Sequence, residues 1–75
     1  MKNFKMCITT VDTREVIDVR CASNDSAKEH AKSLLGMYDV PVQIGIFEES
    51  ANGEYDNDLR EVDNGNWSFI GHIAK

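Results

Sequence analysis

Two histidines, two cysteines and thirteen carboxylates are the side chains with which this chain could carry out catalysis. A cysteine nucleophile needs electropositive surroundings that lower the pKa of its thiol, and a base within hydrogen-bond reach. Cys21 is expected on an apolar strand face and Cys7 on the flank of another strand, so neither meets these conditions. His30 and His72 are expected to be ordinary surface residues. The sequence therefore predicts a protein that is not an enzyme.

Metal and cofactor sites also lack their residue patterns. Glu48, Ser50, Asn52 and Gly53 fall where a calcium-binding EF-hand loop has positions one, three, five and six. The match then fails, because position twelve is Leu59 where a bidentate glutamate is needed, and the flanking residues do not form two helices. The cysteines are too far apart for a metal clip, and the glycines are too dispersed for a phosphate-binding loop. We expect no metal and no cofactor.

The distribution of charge is more informative than the net charge of −5. Residues 48–63 contain seven carboxylates and a single base, Arg60, whereas the remainder of the chain has six acids and seven bases. The carboxylates of this segment are Glu48, Glu49, Glu54, Asp56, Asp58, Glu61 and Asp63. Such a segment would repel phosphate groups. We therefore expect no direct binding to nucleic acid or to an anionic membrane, and a partner protein with a basic surface instead.

Chain length restricts the domain organisation. Seventy-five residues are enough for one hydrophobic core and too few for two, so residues 1–75 are predicted to form a single domain. No apolar run approaches the ~20 residues needed to span a bilayer, and residues 1–5 lead into a strand pattern and not into a signal peptide. Two cysteines are too few for the disulfide framework of a small secreted domain. We therefore expect a cytoplasmic location.

Alternation of apolar and polar residues predicts a β-hairpin at the start of the chain. Apolar side chains take every second position over residues 3–11, and the same period returns over residues 16–21 after a turn-like stretch at residues 11–14. This parity places Cys21 on an apolar face and Cys7 on a polar one. Side chains on opposite faces of a sheet cannot reach the short separation of a disulfide, so both thiols should stay reduced.

A helix is predicted after this hairpin. Residues 23–26 supply several N-cap candidates, with Ser26 and Glu29 at the spacing of a capping box. One apolar stripe follows at helical spacing, formed by Ala27, Ala31, Leu34, Leu35 and Tyr38. Gly36 offers a left-handed cap, and the helix is expected to end between Leu35 and Asp39.

Two further strands complete the expected sheet. Residues 42–47 alternate again, and residues 67–73 carry apolar groups at both parities, which predicts a final strand that is central or covered. Asn52-Gly53 and Asn64-Gly65 are hairpin-turn signals, and they enclose Glu54 to Asp63, interpreted either as a polar edge strand or as an acidic loop. The predicted fold class is α+β, an antiparallel sheet of four or five strands in the order ββαββ, with one helix packed on one face.

Phe47 and Trp67 bear on association with other molecules. With a single helix on one side, the other face of a small sheet stays open. Aromatic side chains there would form an apolar patch of the kind that marks an interface. The alternative is that Trp67 completes the core, because tryptophan is highly buried on average.

The overall pattern includes two strands, the helix sequence Ala-Ser-Asn-Asp-Ser-Ala-Lys-Glu-His-Ala at residues 22–31, a third strand, and an Asn-Gly turn followed by Trp67. In this outline the chain resembles small bacteriophage and mobile-element proteins, among them some anti-CRISPR inhibitors. The resemblance is architectural and transfers no functional residues. It implies a stoichiometric inhibitor that occludes the nucleic-acid site of a host protein in the host cytoplasm.

The leading functional hypothesis is a non-enzymatic protein-binding inhibitor whose acidic surface imitates a nucleic-acid backbone and competes for a basic groove. The predicted partner-binding residues are Glu48, Glu49, Glu54, Tyr55, Asp56, Asp58, Glu61, Asp63 and Trp67. The alternative is a homo-oligomeric structural or accessory module of a phage or bacterium, in which the open sheet face pairs with its copy. A third alternative, an enzyme with a site shared between subunits, would involve His30 or His72.

Overall fold

The structure, a computed structural model, describes residues 1–49 and 67–75. These residues form four strands and one helix. The elements follow in the order β1 (Lys2–Thr9), β2 (Arg14–Cys21), α1 (Asn24–Leu35), β3 (Gln43–Glu49) and β4 (Trp67–Ala74). Neighbouring strands are antiparallel, in the spatial order β2-β1-β3-β4. The predicted α+β fold in the order ββαββ is confirmed. The two Asn-Gly turns, and the choice between strand and loop for residues 54–63, lie outside the described residues.

A four-residue connection closes the hairpin of β1 and β2. The backbone N–H of Thr10 donates to the carbonyl of Thr13 at 2.9 Å. The Thr10 hydroxyl accepts hydrogen bonds from the N–H groups of Thr13 and Asp12, at 3.0 and 3.3 Å. Threonine and aspartate favour such turns because their short polar side chains bond to nearby backbone groups. The connection sets a register that brings Phe4 and Met6 of β1 onto the same face as Val19 and Ile17 of β2.

The helix α1 packs on that apolar face, which we call the first face. The fully buried side chains between α1 and the sheet are Phe4, Met6, Ala27, Ala31, Ile44 and Ile46. Ala27 and Ala31 lie one helical turn apart, and their small side chains let α1 approach the strands closely. Hydrophobic burial here explains the period of two in the strands and the period of about 3.6 in the helix.

The N-terminus of α1 is capped by Ser23. The residue has extended backbone angles, and its hydroxyl oxygen accepts a hydrogen bond from the N–H of Ser26 at 3.1 Å. Asp25 in the first turn adds a negative charge at the positive end of the helix dipole. The predicted capping box of Ser26 and Glu29 is therefore wrong. The N-cap is Ser23, three residues before Ser26. Its hydroxyl oxygen accepts the hydrogen bond from the N–H of Ser26, a group that has no acceptor within the first turn of the helix.

Replacing Ser23 with alanine should lower the free energy of unfolding by about 1 kcal/mol, since the N–H of Ser26 loses its side-chain acceptor. Urea unfolding followed by far-UV circular dichroism measures the change. Ser33→Ala is the matched control, because Ser33 is exposed inside the same helix and alanine has the higher helix propensity. An equal loss in both variants would contradict the assignment of the cap to Ser23.

The helix ends at Leu35, within the predicted interval, and Gly36 follows as its C-cap. The N–H of Gly36 donates to the carbonyl of Lys32 at 3.2 Å. The expectation of a left-handed cap is wrong, because Gly36 has a φ of −65° and a right-handed helical conformation. A glycine is thus not required here by backbone geometry.

The strand β4 lies at the edge of the sheet formed by the described residues, beside β3. Ile46 pairs with Gly71 and Phe47 with Phe69, so Ile70 is an extra residue that forms a β-bulge. Because of the bulge, Ile70 and Ile73 both pack against the core beneath α1 although they differ in parity, while Phe69 lies on the opposite face. The strand is not central, and α1 covers only one of its faces.

Both cysteines are buried and free, in agreement with the prediction of reduced thiols. Cys21 belongs to the core beneath α1, whereas Cys7 lies on the opposite face of the sheet. Cys7 nevertheless contacts aromatic side chains and is 5% exposed, so its face is not the polar one that the sequence suggested.

Candidate partner-binding surface

The face of the sheet that points away from α1, which we call the second face, holds Glu49 and Trp67, two of the three predicted binding residues that the structure describes. Its rows can be followed across the strands from β2 to β4. One row consists of Asp18, Lys5, Phe47 and Phe69, and the next consists of Arg20, Asn3, Glu49 and Trp67. The second face therefore combines aromatic rings with both signs of charge.

A small aromatic cluster occupies the middle of the second face. Phe47 is 0% exposed and packs with Cys7 and Trp67 in a second core that α1 does not reach. The ring of Phe69 meets that of Phe47 edge to face, with centroids 5.4 Å apart, yet 54% of Phe69 remains exposed. Of the aromatic residues in this cluster, Phe69 thus offers the most surface to a partner.

Trp67 is 8% exposed and lies in this second core. The ammonium group of Lys5 is 5.0 Å from the centroid of the Trp67 ring and 2.6 Å from the carboxylate of Asp18. Because Lys5 is on β1 and Trp67 on β4, their contact crosses β3, the strand that carries Phe47. Trp67 consequently supports the second core, and only a small part of its surface is accessible to a partner.

Glu49 and Trp67 are register partners at one end of the sheet, which we call the Trp67 end. Glu49 is exposed there and accepts a hydrogen bond from the amide of Asn3 at 3.4 Å. A shallow cavity of about 310 Å³ lies beside them, with Arg20 and Asp18 also in its lining. The residues that precede and follow the sequence segment 50–66 are thus neighbours at this end.

Glu48 lies on the first face, opposite to Glu49, because consecutive strand residues alternate. Its carboxylate is 3.0 Å from the ammonium group of Lys2, which also donates to the side chain of Asn24 at 2.7 Å. The hydrogen bond from Lys2 lowers the pKa of Glu48, with a smaller contribution from the charge of Lys2. Glu48 therefore connects β3 to β1 and to the start of α1, and it is not adjacent to Glu49 on one anionic surface.

The remaining predicted binding residues lie outside the described residues. They are Glu54, Tyr55, Asp56, Asp58, Glu61 and Asp63. Of the nine predicted positions, the structure thus places three, and it brings Glu49 and Trp67 together on the second face.

Within residues 1–49 and 67–75, the basic side chains do not gather on one side. Lys5, Arg14 and Arg20 lie on the second face, whereas Lys28 and Lys32 are on α1. Lys5 pairs with an aspartate, and Lys32 is 3.4 Å from Glu29. This arrangement does not provide the continuous basic face that binding to a phosphate backbone requires.

Sequence reasoning missed the role of Phe69 and a groove beside it on the second face. The groove has a volume of about 370 Å³ and passes over Gly45 between Arg14 on β2 and Phe69 on β4. The alternation of side chains along β4 indicates only that Phe69 lies on the same face as Trp67. The available signal was a phenylalanine at the same parity as Trp67, but its exposure depends on the edge position of β4, which periodicity does not encode.

Among residues 1–49 and 67–75, no cluster of three or more histidine, cysteine, aspartate or glutamate side chains could hold a metal ion. His30 and His72 are both exposed. None of the helices in the described part of the chain is long and apolar enough to cross a membrane.

Comparisons with protein-family models, with curated proteins and with solved structures found no match to this chain. Functional inference therefore depends on the geometry and charge of the chain itself.

Proposed function

We propose that this protein is a non-enzymatic inhibitor that binds a host protein or protein complex with a basic surface, and that it blocks nucleic-acid binding there. The observation that carries the proposal is the separation of charge. The described residues contain eight carboxylates against seven lysines and arginines. Residues 50–66 contain five carboxylates against one arginine. Most of the net charge of −5 thus belongs to the segment that joins Glu49 to Trp67.

The register of β3 and β4 supports this assignment, because it attaches both ends of the acidic segment to the Trp67 end of the sheet. Glu49 adds an exposed carboxylate at that end, and the half-exposed Phe69 is close by on the same face. Glu48 is excluded from the proposed surface because Lys2 neutralises it on the first face. The contact region we propose is therefore the Trp67 end of the second face together with the carboxylates of residues 50–66.

Electrostatics gives such a surface a defined effect. A local excess of negative charge attracts a basic groove at long range, and it raises the association rate more than the final affinity. Once bound, the carboxylates occupy positions that would otherwise hold phosphates, so nucleic acid is displaced. The charge on the rest of the chain is nearly balanced and adds little to this attraction.

Removal of charge at two places tests the proposal. The first variant carries Glu54→Gln, Asp56→Asn, Asp58→Asn and Glu61→Gln. The matched control carries Asp12→Asn, Glu15→Gln, Glu29→Gln and Asp39→Asn, which changes the net charge equally at exposed positions outside the proposed contact region. Each protein is immobilised and used to capture partners from a lysate of the encoding organism, with and without competing duplex DNA. Affinities for the captured partner are then measured at low and at high salt.

We expect the first variant to bind at least about tenfold more weakly and with a shallower salt dependence, because long-range attraction is lost. The control should bind within about twofold of the unmodified chain. An equal loss of affinity in both variants would show that net charge alone, and not the acidic segment, causes the effect. A captured partner that competing DNA does not displace would show that the protein does not act at a nucleic-acid site.

A further inference from the structure

The two edges of the sheet differ in their charges. Four of the eight residues of β2 are charged, namely Arg14, Glu15, Asp18 and Arg20, whereas none of the eight residues of β4 carries a formal charge. Charged side chains on an edge strand oppose pairing with another chain, and their absence leaves an edge able to pair. By this criterion β2 is a protected edge and β4 is not.

The second half of β4 has the regular geometry that strand addition needs. After the bulge, Gly71 to Ala74 pair with β3 residue by residue, and the N–H and carbonyl of Lys75 continue the ladder to Val42 at 2.8 and 3.2 Å. No strand among the described residues pairs with the outer edge of this run. In an edge strand, alternate backbone N–H and carbonyl groups point away from the sheet and are able to bond to an added strand.

On the first face, a cleft accompanies this edge. It lies between α1 and β4 and has a volume of about 530 Å³. Ile46, Gly71 and Ile73 contribute its apolar part, and Lys28 and Glu29 of α1 are among the polar residues that border it. A strand added along β4 would place at this cleft those of its side chains that face α1. The cleft therefore favours a strand with an apolar residue at that position.

On the second face, the same run presents His72 and Ala74, which are both exposed and carry no formal charge. The edge of β4 thus suits an uncharged strand that carries an apolar side chain on the α1 side.

We infer that β4 pairs with β4 of a second copy of this chain, in antiparallel orientation, to form a continuous eight-stranded sheet. The second copy supplies the strand that the edge requires, because β4 itself is uncharged and presents Ile73 on the α1 side. A two-fold axis relates the two strands, so each edge is both donor and acceptor. Although each chain has a charge of −5, the paired strands bring no like charges together. The inference does not depend on the proposed inhibitor function.

The size of the contact predicts a weak dimer. The regular run from Gly71 to Lys75 is about 17 Å long, and a sheet with one helix layer is about 20 Å thick. Edge pairing over this run therefore buries roughly 340 Å² on each copy, or roughly 700 Å² in total, which is below the standard size of a specific interface and typical of a weak, transient contact. We expect a dissociation constant of roughly several hundred micromolar and a monomer at low concentration.

Sedimentation velocity tests the inference directly over a range on the order of 10 µM to 1 mM, in which weak dimers form. The unmodified chain should shift from monomer to dimer across this range. His72→Lys places a charge within the paired run of the edge strand, and it should weaken the dimer roughly tenfold or more. Ala74→Lys is a second variant with the same purpose at another exposed position of β4. Val11→Lys adds an equal charge to the exposed β1–β2 connection and should leave the dimer unchanged.

Amide hydrogen exchange at the two ends of the concentration range identifies the strand involved. Protection should increase in Gly71 to Ala74 and remain constant in β2. A concentration-independent monomer at 1 mM would overturn the inference. So would a dimer that both lysine variants of β4 leave intact, a gain of protection in β2 instead of β4, or β4 amides that are already fully protected in the monomer.

Discussion

Replacing Phe47 with alanine should lower the free energy of unfolding by about 3–5 kcal/mol, the largest effect we expect from any single truncation on the second face. Phe47 is completely buried, although it lies on the side of the sheet that α1 does not cover. The change would remove the centre of the cluster with Cys7 and Trp67 and leave a cavity. A chain of this size rarely has more than ~3–5 kcal/mol of net stability, so the variant should be largely unfolded at room temperature.

Urea unfolding, followed by far-UV circular dichroism and by Trp67 fluorescence at low micromolar concentration, measures this effect. Phe69→Ala is the matched control, because it removes the same atoms from the neighbouring ring at a position that is 54% exposed. The control should lose only about 1 kcal/mol, chiefly from the edge-to-face contact with Phe47. If the two variants lost equal stability, the second core would contribute no more than an ordinary surface contact.

Enlarging Ala31 to leucine should cost about 1–3 kcal/mol for the opposite reason, since the extra atoms have no space between α1 and the sheet. Ala31 is 0% exposed and belongs to the core that contains Met6 and Ile44. The helix would have to move away from the strands, and contacts along its whole apolar stripe would loosen. Thermal unfolding should show a decrease in Tm of roughly 4–8 °C for each kcal/mol lost.

Ser33→Leu provides the comparison, because it introduces the same side chain on the exposed side of the same helix. Leucine is a good helix former, so this variant should change Tm by no more than a few degrees. A tolerated leucine at position 31 would mean that α1 is less closely packed on the strands than the complete burial of Ala27 and Ala31 indicates.

Much of the fold could be predicted from the sequence because burial on the first face imposes strict periods. Period two located the strands, and the stripe from Ala27 to Leu35 located the helix and the face it buries. The position of the cap could not be decided this way, because several serine and asparagine side chains compete at residues 23–26. The bulge at Ile70 was also missed, since two apolar residues in succession are equally compatible with a strand buried on both faces.

The candidate surface was less predictable, for two physical reasons. Contacts between residues on neighbouring strands can be predicted only when the strand order is known. The order β2-β1-β3-β4 places Lys2 beside Glu48, and local sequence patterns do not reveal this contact. The alternation that placed Ile44 and Ile46 on one face did contain the signal that Glu48 and Glu49 point in opposite directions. Grouping the acidic residues by charge alone concealed it.

The two proposed interfaces use different parts of β4. The proposed inhibitor surface lies at the Trp67 end, whereas the proposed contact between copies involves Gly71 to Ala74. An antiparallel pair of β4 strands would direct the two Trp67 ends to opposite sides of the dimer. Each dimer could then engage two partner molecules, and avidity would strengthen capture when partner sites are suitably spaced.

The pairing of Glu49 with Trp67 also makes this chain divisible. Two adjacent strand ends can be connected by a two-residue type I′ turn, so residues 50–66 can be excised and an Asn-Gly linker inserted in their place. The shortened scaffold would carry nearly balanced charge while keeping both hydrophobic cores, and it would serve as an acceptor for grafted loops of other sequences. Recognition and scaffold would thereby become separate modules of one small protein.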